Sequence, residues 1–372
     1  MMTILRAGKP VRSALNALLF TALLISAQVQ AAVTVTDMLN RTVTLPAPAK
    51  RIVLAESRHI MTLALLEKDP LANVVAWGTD LQRYSPSTFE ALKQRFPQAA
   101  SIKEIGDLNT GTFSMEAAIA ARPDLVVFTL YGAIPEGLNK LDAAHIPYVF
   151  VDFFRHPLVK TVPSMLMLGK LLGHEKEAEA FVAFYQQHMN EVAKRVAQQP
   201  RRPQVFFHLN PGGDDCCFTS GKGNMSDFIA VAGGDNLGAA TLPNGIGKLN
   251  LEYVLAKKPD FYLAGGGSTV SRRGLNIGPS VAPTESARSL REIVSHPALA
   301  SLPAIRHQQV GGIWLFFFDN PLFFIGVEEM AKMLHPQAFN DIDPAKTLEE
   351  LNQRFLAFPL RGTFWTTLNP QE

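Results

Sequence analysis

An α/β fold in two similar lobes is what this 372-residue sequence predicts, and three observations predict it. A fourteen-residue element occurs twice, 136 positions apart: residues 115–128 read MEAAIAARPDLVVF and residues 251–264 read LEYVLAKKPDFYLA. Glu116 aligns with Glu252, Pro123 with Pro259 and Asp124 with Asp260. Each copy reads as a short helix stopped before a proline, then a turn and an apolar run of strand character, so each half carries one αβ unit. Second, short strand-like runs alternate with amphipathic stretches, which specifies mostly parallel, Rossmann-like sheets covered on both faces. Third, one long helical segment separates the halves. Two lobes joined by a single long α-helix leave a ligand cleft between them.

Taken in order, residues 1–31 are expected to be a secretory signal peptide. Arg6, Lys9 and Arg12 form a basic start, residues 17–27 are apolar, and Val29-Gln30-Ala31 ends in small residues. The apolar run is too short for a spanning helix, and no other stretch approaches the roughly 20 apolar residues that membrane insertion needs. Cleavage after Ala31 removes three basic residues and no acidic one, lowering the formal charge from +2 to −1. No cysteine near the cut offers a lipid anchor. The mature chain is expected to be periplasmic, and with no basic stripe interleaved with aromatics it has no electrostatic basis for a nucleic-acid partner.

Residues 32–158 form the expected N-terminal lobe, with strands at 52–55, 74–77, 125–129 and 148–151 and helices between them. Residues 159–198 are the expected inter-lobe helix. Met165, Leu168, Leu171, Leu172, Phe181, Val182, Tyr185, Met189, Val192 and Val196 keep a helical period, with Gly169, Gly173 and His174 expected to break it into two pieces. Residues 199–372 form the C-terminal lobe, with strands at 205–209, 261–265 and 310–314, helices at 225–232 and 321–334, and a tail folded back over the lobe. With 47% hydrophobic and 18% charged residues, the chain has enough apolar surface for one large or two medium cores.

The only cysteines, Cys216 and Cys217, are adjacent and cannot staple distant segments. Oxidised to each other they make a vicinal disulfide that stiffens one loop; as two thiols they suit a soft metal or redox chemistry instead. The nine histidines show no HxH or HxxxH pairing, and neither a G-x-S-x-G elbow nor a phosphate-cradling glycine motif occurs, so no motif supports metal, acyl-transfer or nucleotide chemistry.

Six segments together resemble one family. They are VTDMLNRTVTLPAPAKRIVLA at 35–55, EAAIAARPDLVVF at 116–128, YVFVD at 148–152, LGKLLGHEKEAEAFVAFY at 168–185, FTSGKGNMSDFIAVAGGDNL at 218–237 and LEYVLAKKPDFYLAGG at 251–266. In this order, behind a signal peptide, they resemble the periplasmic binding proteins that serve iron-siderophore, haem and cobalamin ABC importers. The resemblance implies two α/β lobes joined by one long helix, and no enzymatic chemistry. The chain is expected to act as a monomer on a small-molecule iron chelate, with iron present only within that chelate and no other cofactor. The resemblance also implies an inner-membrane ABC permease as partner, docked through one glutamate on each lobe, matched here by Glu116 and Glu252. Each glutamate also lies in a first helical turn after a candidate N-cap, Ser114 or Asn250, where a carboxylate gains about 0.3–1 kcal/mol from the helix dipole.

In open α/β sheets, ligands bind beyond the carboxyl ends of the strands. The loops there hold Arg58, Arg83, Tyr84, Tyr131, Arg155, Arg272, Trp314 and Phe316. Arginine offers forked donors to an anionic chelate and the aromatics offer flat walls, a combination that suits a ferric siderophore. Haem or cobalamin is the alternative cargo, with Tyr84, Tyr131 or a histidine as the side-chain type that ligates haem iron. An exported redox or metal protein using Cys216 and Cys217 is the alternative class.

Overall fold

Continuous apolar runs rather than alternating ones mark the main strands, as sheets covered on both faces require. The computed structural model describes residues 3, 32–131, 133–212, 216–243, 245–267 and 274–368, and in it these runs build two five-stranded sheets, one per half of the chain. The first contains β1 (Ile52–Leu54), β2 (Val74–Trp77), β3 (Lys103–Glu104), β4 (Leu125–Thr129) and β5 (Tyr148–Val151), in the order β3-β2-β1-β4-β5 with every pair parallel. The second contains β6 (Gln204–Leu209), β7 (Asp235–Asn236), β8 (Phe261–Gly266), β9 (Val310–Trp314) and β10 (Trp365–Thr367). Its order is β7-β6-β8-β9-β10, parallel except for β10, which runs antiparallel to β9. Both are doubly wound arrangements, and in each the strand order reverses once: between β1 and β4, and between β6 and β8.

The helices that matter below are α1 (Met115–Ala120), α2 (Leu138–Ala143), α3 (Pro157–Leu172), α4 (Glu175–Val196), α5 (Met225–Val231), α6 (Leu251–Lys257) and α7 (Phe323–Leu334). The duplicated element folds the same way twice: α1 leads into β4 and α6 into β8. Its proline turns close alike. Arg122 and Lys258 both take left-handed backbone, φ 51° and 50°. The carboxylates of Asp124 and Asp260 then accept from the amides of Lys50 at 2.9 Å and Gln204 at 2.8 Å, each tying the turn to the start of the neighbouring strand.

The helix expected over 159–198 is two helices. α3 begins at Pro157 and ends at Gly173, whose φ of 75° lets the His174 amide fold back onto the Gly169 carbonyl at 2.7 Å, a glycine C-cap. Gly169 also admits α4: a Cβ there would lie 2.4 Å from the Ala178 Cβ. α3 stays with the first lobe, its Leu171 carbonyl accepting from the Ala49 amide at 2.8 Å. The 22-residue α4 carries the chain onward to β6, packing Phe181, Phe184 and Tyr185 against Phe323 and Phe324 of α7. Among the described residues no helix is long and apolar enough to cross a membrane. The expected signal peptide lies outside the described residues, apart from residue 3.

Candidate ligand-binding site

β1 ends at Leu54 and the chain turns at once through Glu56, Ser57, Arg58 and His59, all buried. Gly78, after β2, permits a close approach, since a Cβ there would lie 2.5 Å from the Ala55 carbonyl oxygen. That brings in Asp80, which gathers four donors: the Ser57 amide at 2.6 Å and hydroxyl at 2.9 Å on one oxygen, and the Arg58 amide at 3.2 Å and Nε at 2.8 Å on the other. Arg58 is thereby fixed within its own lobe. Its Nη2 reaches Glu56 at 3.3 Å and also donates to the hydroxyl of Tyr131, which follows β4. Arg58 and Tyr131 thus follow the two strands at which the first sheet reverses its order, the point where such folds bind ligands.

The second lobe closes on this point. β9 runs into a 3-10 turn, Leu315–Asp319, that carries Phe318 and Asp319 to the junction. The Tyr131 hydroxyl donates to Asp319 Oδ2, and Arg58 Nη1 lies 3.4 Å from the same oxygen. Asp319 Oδ1 is buried without a hydrogen-bond partner, as are Glu56 Oε2 and His59 Nδ1. Aromatic rings wall the cluster: Arg58 stands 5.3 Å from the Tyr131 ring, 5.6 Å from Phe318 and 5.9 Å from Tyr84, and Phe154 meets both Tyr131 and Phe318 edge-on. Phe154 is held there because Asp152 Oδ1 accepts from the amides of residues 154, 155 and 156. Asn224, the N-cap residue of α5, bridges the lobes by donating to the carbonyls of Phe154 at 2.9 Å and Phe318 at 2.8 Å.

Three carboxylates share one arginine in a dry setting, and their protonation follows. Burial pushes Asp319 up to about 6 even against the Arg58 charge. Burial works against the Glu56 anion too, but His59 and Arg58 outweigh it and hold that group below its ordinary range. Desolvation pushes the Tyr131 hydroxyl well up, leaving it a donor. Arg58 stays charged despite burial because Tyr131, Asp319, Asp80 and Glu56 surround it. The arrangement offers a hydrogen-bonded cation and a phenol donor converging on one oxygen position, between ring faces.

Of the residues expected at the site, Arg58 and Tyr131 come together with Tyr84 at the rim. Arg83 is mostly exposed, 4.0 Å from Asp107, and the exposed Arg155 makes no ion pair among the described residues. Trp314 is enclosed instead of lining the junction, packed by Phe316, Phe317 and Phe364, because the returning tail covers it. Phe316 is buried, its ring tilted against that of Phe318 at 6.1 Å. Arg272 lies outside the described residues. Asp80, Phe154, Phe318 and Asp319 lie in the loops that the strand ends mark but were not among the residues chosen from them as ligand-binding, and Asn224 was not singled out by sequence. The usable signal for Asp319 was a carboxylate closing an apolar run just past a strand.

Cys216 and Cys217 are joined by a disulfide across a cis peptide bond. Cys216 borders a separate hollow of about 410 Å³ in the second lobe, beside His208, whose Nδ1 meets the Tyr262 hydroxyl at 2.8 Å and which burial holds down at about 4. No cluster of three or more metal-ligating side chains occurs among the described residues. Ser114 and Asn250 cap α1 and α6 as side-chain acceptors, so Glu116 and Glu252 occupy equivalent first-turn positions. Glu116 pairs with Lys140 of α2 at 2.5 Å, which lowers its carboxyl, whereas Glu252 makes no ion pair among the described residues.

Comparison with known proteins agrees with this architecture. Residues 63–313, more than half of the chain, match the family model described as periplasmic binding protein. The chain is 27% identical over 308 residues to the ferric enterobactin-binding periplasmic protein FepB of Escherichia coli O6:H1 (strain CFT073), covering 79% of this chain and 89% of that protein. It is 26% identical over 241 residues to a vitamin B12-binding protein of Pectobacterium atrosepticum, covering 63% and 77%. A solved TroA-like periplasmic binding protein, FepB from Veillonella parvula, superposes with a TM-score of 0.84 at 25% identity, covering 91% of this chain and all of that one. Molybdate-bound MolA of Haemophilus influenzae shares the fold, with a TM-score of 0.68 at 18% identity over 88% of this chain and 99% of that one. These relatives are binding proteins rather than enzymes. The chain belongs to the periplasmic binding protein family of the ABC importer class, whose members take a small-molecule ligand in the periplasm and pass it to a membrane permease.

Proposed function

We propose that this protein captures an iron chelate, a ferric siderophore, at the junction between its lobes and delivers it to its permease through Glu116 and Glu252. The observation that carries the reading is the Arg58–Tyr131 pair: a buried, always-charged guanidinium and a phenol donor, walled by Tyr84, Phe154 and Phe318, at the strand ends where the first sheet reverses. Such a pair suits an anionic, oxygen-rich and partly aromatic ligand. The resemblance to a ferric enterobactin-binding protein supports the same class. Capture requires no covalent chemistry. The two glutamates sit on matching helices, one per lobe, so a single partner reads both.

Equilibrium dialysis against ferric enterobactin, haemin, cyanocobalamin and molybdate tests the cargo. Micromolar or tighter binding of the ferric chelate alone supports the reading. Selective binding of cyanocobalamin or haemin replaces it with the alternative cargo of the same class.

A further inference from the structure

The Arg58 cluster is built unevenly on the two sides of the junction. Inside the first lobe, Asp80 is saturated: both oxygens accept, from two amides, one hydroxyl and the guanidinium. Across the junction, Asp319 is held by one oxygen only. Its Oδ2 takes the Tyr131 hydroxyl with Arg58 Nη1 at 3.4 Å, while Oδ1 is buried with nothing to accept from. A buried carboxylate oxygen without a donor is a cost that opening relieves. Nearby, the junction is otherwise crossed by the Phe154–Phe318 ring contact and by one bond of Asn224, to the Phe154 carbonyl, while farther off the Ala357 amide donates to the Ala64 carbonyl at 2.9 Å and Phe96 meets Phe358 edge-on. Separation of the lobes here leaves Arg58 in place on Asp80 and frees two donors, Tyr131 Oη and Arg58 Nη1, that converge on one vacated oxygen position.

We propose that Asp319 is an internal stand-in for the cargo's anionic oxygen, a latch that holds the empty lobes together and is exchanged for the ligand on Arg58 and Tyr131. This rests on the anionic-chelate reading given above. The exchange is one acceptor for another: Asp319 leaves for water, and an oxygen of the chelate takes up the same two donors. Asp319 therefore sets selectivity by competition. A ligand without an anionic oxygen at that position gains nothing on the freed donors and leaves the latch favoured. The apparent affinity of every true ligand is lowered by the fraction of molecules that are latched.

The test uses the full mature chain with nitroxide labels at Ala120→Cys and Lys257→Cys, exposed ends of α1 and α6, and its disulfide left oxidised. Pulsed electron resonance then reads the inter-lobe distance without cargo. Asp319→Asn, which keeps shape but removes charge, is expected to shift or broaden the distribution, and Tyr131→Phe to do the same from the opposite lobe. Dialysis against ferric enterobactin is expected to show binding by Asp319→Asn about tenfold tighter than wild type. Cargo-free distributions that are identical in wild type and both variants overturn the latch whatever the cargo. Altered distributions with no binding of ferric enterobactin by any form uphold the latch and overturn the cargo reading instead.

Discussion

The Tyr131 hydroxyl of the first lobe donates its hydrogen bond to Asp319 of the second, 188 residues further along the chain, and itself accepts from Arg58. One phenol therefore joins a cation to an anion across the junction. Tyr131→Phe leaves Asp319 with Arg58 Nη1 at 3.4 Å as its only close donor and is expected to lower stability by about 1–3 kcal/mol, read from urea unfolding. Unchanged stability would mean that the phenol bond is not made.

Arg58 and Arg83 sit in loops of the same lobe yet should behave oppositely. Arg58→Met removes the cation shared by Asp80, Glu56 and Asp319 and is expected to cost about 3–5 kcal/mol. Arg83→Gln, at a side chain 56% exposed, is expected to change stability by no more than about 0.5 kcal/mol. Equal effects in thermal or urea melts would contradict the buried network.

A pH dependence follows from α7. Glu329 is 7% exposed, and burial pushes its carboxyl from 4.5 up to about 7, with Lys332 opposing and Asp343 and Glu328 reinforcing the shift. A raised carboxyl contributes its stability in full below pH 4.5 and loses it as pH rises through 7, a change on the order of 3 kcal/mol. Glu329→Gln should remove that slope, so that the variant gains on wild type between pH 5 and pH 8. Parallel urea midpoints for the two proteins at both pH values would contradict the assignment.

Docking and capture should separate. With Glu116 and Glu252 both changed to alanine, transport and stimulation of the permease ATPase are expected to fall while cargo affinity in solution stays unchanged. The Lys140 partner of Glu116 is half exposed, so exchanging it for a permease arginine is cheap. A loss of cargo affinity in the double variant would place these carboxylates in capture rather than docking.

Much of this architecture is legible in the sequence because β1, β2, β4, β5, β6, β8 and β9 are apolar runs, and the duplicated Pro-Asp turn marks one equivalent strand in each lobe. β3 and β7 are two residues long, too short for any periodicity, and β10 reads Trp-Thr-Thr with no apolar run. The break at Gly173 was visible as Gly-His between two helical patterns. The site was half legible. Strand ends pointed to the loops that meet at the junction, and among their residues a search for donors to an anion chose arginines over Asp80 and Asp319. Their importance lies in contacts 22 residues away for Arg58 and Asp80, and 188 for Tyr131 and Asp319, which local spacing does not encode. Trp314 stands at a strand end like a cleft residue, but Phe316, Phe317 and, from the distant tail, Phe364 enclose it.

Hydrogen exchange mapped by mass spectrometry, with and without saturating ferric enterobactin, tests the location of capture most directly. Protection is predicted at residues 56–59, 80–84, 130–131 and 316–319, on both sides of the Arg58–Tyr131–Asp319 contact. Protection confined to the hollow around His208 and Cys216, with the junction loops unchanged, would contradict the account.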